Sequence, residues 1–135
     1  MVEPHDSMGV VAPISPGELC DKITILEIKA ERIADGEKLR NVRVELAALQ
    51  ASKSRELPGV PDVVGLVREL KTVNEALWET EDAIRACEAA KDFGHRFIEL
   101  ARSVYRQNDR RAALKRQINE VYGSRLVEEK AYTPY

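Results

Sequence analysis

The sequence predicts an all-α fold, a bundle of four helices, and three observations predict it. The 135 residues are 44% hydrophobic but only 5% aromatic, which supplies an aliphatic core with little of what sheets favour. The charged residues, 33% of the chain, interleave with apolar ones at spacings of three and four, and no stretch alternates as a half-buried strand would. Proline and glycine gather in short breaks, chiefly "LPGVPD" (57–62) and "DFG" (92–94), leaving long periodic stretches between them. Short connections favour antiparallel neighbours. The expected architecture is therefore two antiparallel helical hairpins, the second longer, with extended tails at both ends.

Residues 1–12 read as a mobile N-terminal tail, and 13–135 as one helical domain. Helix one spans about 16–34. Ser15 is a suitable N-cap, Pro16 fits the first helical position, and Glu18 stands three after the serine. Leu19, Ile23, Leu26, Ala30 and Ile33 share its main face. Ile25 and Ile28 add a second apolar side, the pattern of a helix with more than one neighbour. Asp35-Gly36 reads as its stop. Helix two, about 37–55, carries a narrow seam of Leu39, Val42, Leu46 and Leu49 at coiled-coil spacing. Helix three, about 63–91, is expected to be capped by Asp62, with Val63, Leu66, Leu70, Val73, Leu77 and Ile84 as its stripe. Helix four, about 95–122, has Phe97, Leu100, Val104, Leu114, Ile118 and Val121, and Gly123 is placed to close it. The tail 123–135 is expected to lie back on the bundle through Leu126, Tyr132 and Tyr135.

Composition excludes several functions. A net charge of −2 is not that of a general polyanion binder, and aromatic residues for base stacking are scarce, so nucleic acid is not an expected partner. No apolar run approaches 18 residues, so no membrane insertion is expected. The N-terminus lacks the basic and apolar regions of a signal peptide, and a cytoplasmic setting is expected. Cys20 and Cys87 have neither metal nor disulfide spacing and read as buried core thiols. His5 and His95 are isolated, and no metal site follows from them. Trp78, the one tryptophan, reads as core or interface. Phosphate-binding loops and nucleophile elbows are absent, and no cofactor is called for.

The informative segment is "VYRQNDRRAALKR" (104–116). Stepping 100° per residue puts Gln107, Asn108, Arg111, Lys115 and Asn119 on or beside the apolar stripe of helix four. Arg102, Arg106, Asp109, Arg110 and Arg116 fall on other faces. A guanidinium facing inward needs a partner. Folding helices three and four about the "DFG" break brings residue 81 level with about 106 and 74 with about 113, so Asn74 and Glu81 bracket Asn108 and Arg111. The plainer reading is an internal latch between helices. The other is a polar pocket in which Arg111 and Lys115 bind an anionic group, Asn74, Asn108 and Asn119 orient it, and Glu81 serves as acid or base.

Three stretches, "PISPGELCDKITILEIKAERI", "LARSVYRQNDRRAALKRQIN" and "GSRLVEEKAYTPY", resemble a family of small bacterial proteins without an assigned activity, domain of unknown function 6165. The resemblance runs from Pro13 to Tyr135. It implies an aliphatic residue where this chain has Cys20, which argues against thiol chemistry. It also implies a setting beside sugar-transfer or cell-envelope polysaccharide proteins, and it brings no catalytic residues. "CDKITILEIKAERI" is in addition similar to the first helix of all-helical chorismate mutases, which bind a dicarboxylate with arginine and lysine. That likeness covers one helix, and the usual arginine positions do not line up. The expected function is a non-enzymatic accessory or protein-interaction module, with a protein partner or self-association through the second apolar face of helix one. The alternative is an enzyme or binder of a small anionic metabolite, chorismate-mutase-like or acting on a sugar phosphate, between helices three and four.

Overall fold

A computed structural model describes residues 9–135 and contains four helices: α1 (Pro16–Arg32), α2 (Gly36–Glu56), α3 (Pro61–Ala89) and α4 (His95–Tyr122). Among the described residues there is no strand, and no helix is long and apolar enough to cross a membrane. Of the expected N-terminal tail, residues 1–8 lie outside the described residues, and 9–12 are exposed without helix or strand.

Local chemistry sets the boundaries. Ser15 caps α1, its Oγ accepting from Glu18 N at 3.1 Å, with Pro16 in the first turn. α1 stops at Arg32, two residues earlier than expected, because Ile33 turns to extended backbone. Asp35 and Gly36 then begin the next helix instead of ending this one. Asp35 Oδ2 accepts from Lys38 N at 2.9 Å as the cap of α2. At α3 the expected cap also differs: Val60 holds the cap position without a side-chain bond, Pro61 opens the helix, and Asp62 falls within the first turn. Proline's fixed φ preorganises that start, and Asp62 faces the positive end of the helix dipole.

The ends of α3 and α4 close in the same way. Asp92 N donates to Cys87 O and Ser124 N to Asn119 O, both at 2.9 Å, the outer bond of a Schellman motif. The left-handed residue is Gly123 in one (φ 66°) and Lys91 in the other (φ 55°). A lysine there accepts roughly 1–2 kcal/mol of backbone strain that glycine avoids.

The core joins α1, α3 and α4. Cys20, Val63, Leu70, Val73, Leu114 and Ile118 form one buried cluster, flanked by Val60, Leu66, Val67, Leu77 and Tyr122. Val121, expected on the α4 stripe, is 41% exposed. Its neighbour Tyr122 packs on the core instead and donates its hydroxyl to Pro58 O at 2.9 Å. α3 and α4 run antiparallel: Glu69 meets Arg110 at 2.7 Å and Thr80 meets Gln107 at 3.3 Å. α1 lies across both. α2 packs against α1 alone, and Val42 is its one buried residue.

The second apolar side of α1 is turned inward. Ile28 is fully buried, and Ile25 sits beside Leu77, Trp78 and Val104 of α3 and α4. Of the two side chains expected to draw in a second copy, Ile28 is thus covered within the chain, and Ile25 is half-buried.

Candidate functional site

The polar residues of α4 meet α1 at its first turns. Gly17 is buried there, and its N–H donates to Asn119 Oδ1 at 2.6 Å. A Cβ on Gly17 would lie 2.4 Å from the backbone oxygen of Lys115, so the helices approach this closely only over a glycine. One turn further on, Asp21 is completely buried. Its Oδ1 accepts from Arg111 Nε and from Asn74 Nδ2, each at 2.9 Å, and Arg111 Nη2 takes the other oxygen. This is a forked contact, the stronger geometry for arginine and carboxylate. Asn74 Nδ2 also donates to Thr24 Oγ1 at 2.9 Å, and the Thr24 hydroxyl donates to Asp21 O at 2.8 Å. Three helices are joined through one carboxylate. The hydrogen bond to Asp21 raises the Arg111 pKa against the effect of its desolvation, so the guanidinium stays charged.

Lys115 forms the next tier. Its ammonium lies 2.7 Å from Glu18 Oε1, 2.8 Å from Glu128 Oε1 and 4.0 Å from Asp21 Oδ2. Burial pulls its pKa down, but the hydrogen bonds to Glu128 and Glu18 outweigh this and leave it raised. The same contact with Lys115 lowers the Glu128 pKa. Glu18, placed at the third position of α1, spends its carboxylate across the helix interface and on Lys22, 3.8 Å away.

Beside this cluster is an open depression of about 270 Å³, walled by Ile25, Ile28, Leu77, Trp78 and Val104 and rimmed by Asn74, Glu81, Asn108 and Arg111. Glu81 is at its edge, exposed and paired with Arg85 at 3.0 Å. The expected partner for Arg111 is therefore corrected from Glu81 to Asp21. Folding α3 onto α4 places acids along one side of α4 only. α1, crossing both, delivers its carboxylate from nearer the core.

Of the side chains singled out in the sequence, Asn74, Lys115 and Asn119 are buried, and Asn108 and Arg111 are half-buried. Asn74, Arg111 and Lys115 meet around Asp21. Asn119 is spent on Gly17, and Asn108 Oδ1 is 3.5 Å from Arg111 Nη1. Glu81 stands apart at the rim. Sequence reasoning missed Asp21, Thr24, Glu18, Gly17 and Glu128. One signal pointed to Asp21: at 100° per residue it lies within about 20° of Ile28 and 40° of Ile25, a carboxylate on an apolar face. Glu128 had no such signal, because the tail has no periodicity.

Cys20 and Cys87 are free and buried. Burial raises the Cys20 thiol pKa, against the pull of Lys53, the reverse of an activated thiol. Among the described residues no His, Cys, Asp and Glu group is arranged to hold a metal ion.

The chain belongs to a family of unknown function, DUF6165, whose model matches residues 10–135. No curated protein and no solved structure matches it.

Proposed function

We propose that this member of the family is a non-catalytic interaction module, in the cell-envelope glycan setting that the sequence resemblance implies. One observation carries this reading: the inward-facing cations are already answered by carboxylates of the same chain. Arg111 is forked on Asp21, and Lys115 lies between Glu18 and Glu128. At Arg111 an anion would have to displace the buried, hydrogen-bonded Asp21 carboxylate, a costly exchange. The acid or base candidate, Glu81, is exposed at the rim and paired with Arg85 of its own helix.

The second reading, a small anionic metabolite, draws support from the depression. Among the described residues Arg111 Nη1 meets Asn108 alone, at 3.5 Å, and Trp78 lines the same depression. A thermal-shift screen with sugar phosphates and dicarboxylates separates the two. The interaction-module reading expects no stabilisation. A site filled at a hundredfold excess over Kd would add about 2.7 kcal/mol. Such a shift in the wild type, lost in Arg111→Met when each protein is compared with its own unliganded melting temperature, would establish the ligand reading instead.

A further inference from the structure

We propose that the cleft between the end of α2 and the start of α3 binds a small amphipathic anion. Its chemical class is a free acyl carboxylate of medium length, the chain laid against α3 and the carboxylate on Lys53. This goes beyond the interaction-module reading and concerns a different part of the molecule from the Asp21 cluster.

The cleft follows from the packing of α2. That helix touches α1 alone, so the space between its last turns and the first turns of α3 is left open. The cavity there has a volume of about 670 Å³, within the range of small-molecule sites. Ile23 of α1 lines it, and Val60, Val63, Val64 and Val67 form an aliphatic wall at the start of α3. Val64 is 58% exposed, with nothing in the chain covering it. The wall is bounded along α3. At one end the connection through Pro58 and Gly59 lines the cavity, held by the Tyr122 hydroxyl donating to Pro58 O at 2.9 Å. One turn beyond Val67, Lys71 bridges to α1, 3.8 Å from Glu27 and 2.6 Å from Glu31. From Val60 to Val67 α3 rises about 10 Å. That length suits one short apolar chain better than a partner helix of several turns.

The polar lining selects the charge of the ligand. It consists chiefly of Lys53, Glu27, Gln50 and Ser54. Glu27 is balanced by Lys71. Lys53 is half-buried and, among the described residues, its ammonium has neither a carboxylate nor a hydrogen-bond acceptor in reach. Its charge opposes the burial that raises the Cys20 thiol, so it stands near the core and not out in solvent. Arg111 and Lys115 are answered by carboxylates of the chain. At Lys53 an incoming carboxylate displaces nothing. A valine wall beside an unanswered ammonium is complementary to a molecule with an apolar chain and one anionic end. The opening at the C-terminal tail is different. The tail, expected to lie back through Leu126, Tyr132 and Tyr135, is held by Tyr135 on Asp109 and by Glu128 on Lys115, while Leu126 is 45% and Tyr132 81% exposed. That opening is bounded by a chain end, whereas helices wall the cleft.

Equilibrium dialysis of the full-length chain against labelled octanoate tests the site. Binding should tighten about fourfold for each methylene added from hexanoate to octanoate. It should stop tightening with dodecanoate, whose chain outruns the cleft. Octanol keeps the chain without the charge, and Lys53→Met keeps the lysine's apolar stem without the charge. Each change should weaken binding about tenfold, the loss of one charge-assisted contact, and the two losses should not add when octanol is offered to Lys53→Met. Val64→Asp sets a carboxylate on the wall at an exposed position, outside the core, and should abolish octanoate binding without lowering helicity. No binding at millimolar octanoate would overturn the proposal. So would binding that is indifferent to both substitutions, or that keeps tightening through dodecanoate, since either is adsorption without a site. A wild-type dimer that Val64→Asp dissociates, with octanoate bound by neither form, would make the cleft an interface between copies and overturn it as well. The sugar phosphates and dicarboxylates of the anion screen lack the acyl chain, so that screen and this test can fail separately.

Discussion

The two sides of α1 are built on opposite principles. Toward α3 and α4, α1 presents Gly17, Asp21 and Thr24 to a buried network in which nearly every bond has a defined partner. Toward α2 it meets a seam of which Val42 alone is buried, while Leu39, Leu46 and Leu49 are half-buried. The first interface is polar, directional and closely approached. The second is apolar, shallow and one-sided, because α2 touches no other helix. A long regular seam is therefore no measure of how firmly a helix is held. What counts is how many neighbours share the burial, and whether a group inside would be stranded if they parted.

The sharpest way to break this contrast is Asp21→Ala. It strands the Arg111 guanidinium and should cost about 3–5 kcal/mol of unfolding free energy. Adding Arg111→Met should recover a large part of the loss, since no charge is then left unpaired. A denaturant-melt double-mutant cycle measures this, and simple additivity of the two substitutions would mean that the pair does not act as a latch. Next is Gly17→Ala. Its methyl group meets the Lys115 backbone oxygen rather than a flexible side-chain tip, so the helices must move apart, at about 1–3 kcal/mol. A melting temperature unchanged by that substitution would mean the close approach carries no weight.

The smallest effect lies on the other side. Val42→Ala should cost about 1 kcal/mol. It should show first in hydrogen exchange, with α2 amides opening well before those of α3 and α4. Equal protection of α2 and α4 in the wild type would erase the difference between the two regions.

Much of the site is legible in the residue pattern alone. Helical phasing separates Gln107, Asn108, Arg111, Lys115 and Asn119 from Arg106, Arg110 and Arg116, and in the fold the first five are buried or half-buried and the other three exposed. Phasing needs only the helical repeat, which is a property of neighbouring residues. The identity of the partner is not legible in the same way. Glu81 and Asp21 are both acids, and choosing between them requires knowing that α1 crosses the α3–α4 pair.

The sequence by itself determined the four helices, most of their breaks, the caps at Ser15 and Gly123, and which side of α4 faces inward. These follow from local sterics, capping chemistry and periodicity, which act over a few residues. Only the tertiary structure decided that Asp35 opens a helix, that Asp21 answers Arg111, that α2 rests on α1 alone, and that Glu128 returns to Lys115. The last three depend on groups brought together across the chain, whereas the Asp35 cap is a local bond to Lys38 N that an Asp-Gly pair read as a stop conceals. Asp21 and Arg111 are 90 residues apart, and their meeting is set by how helices pack, which local periodicity does not encode.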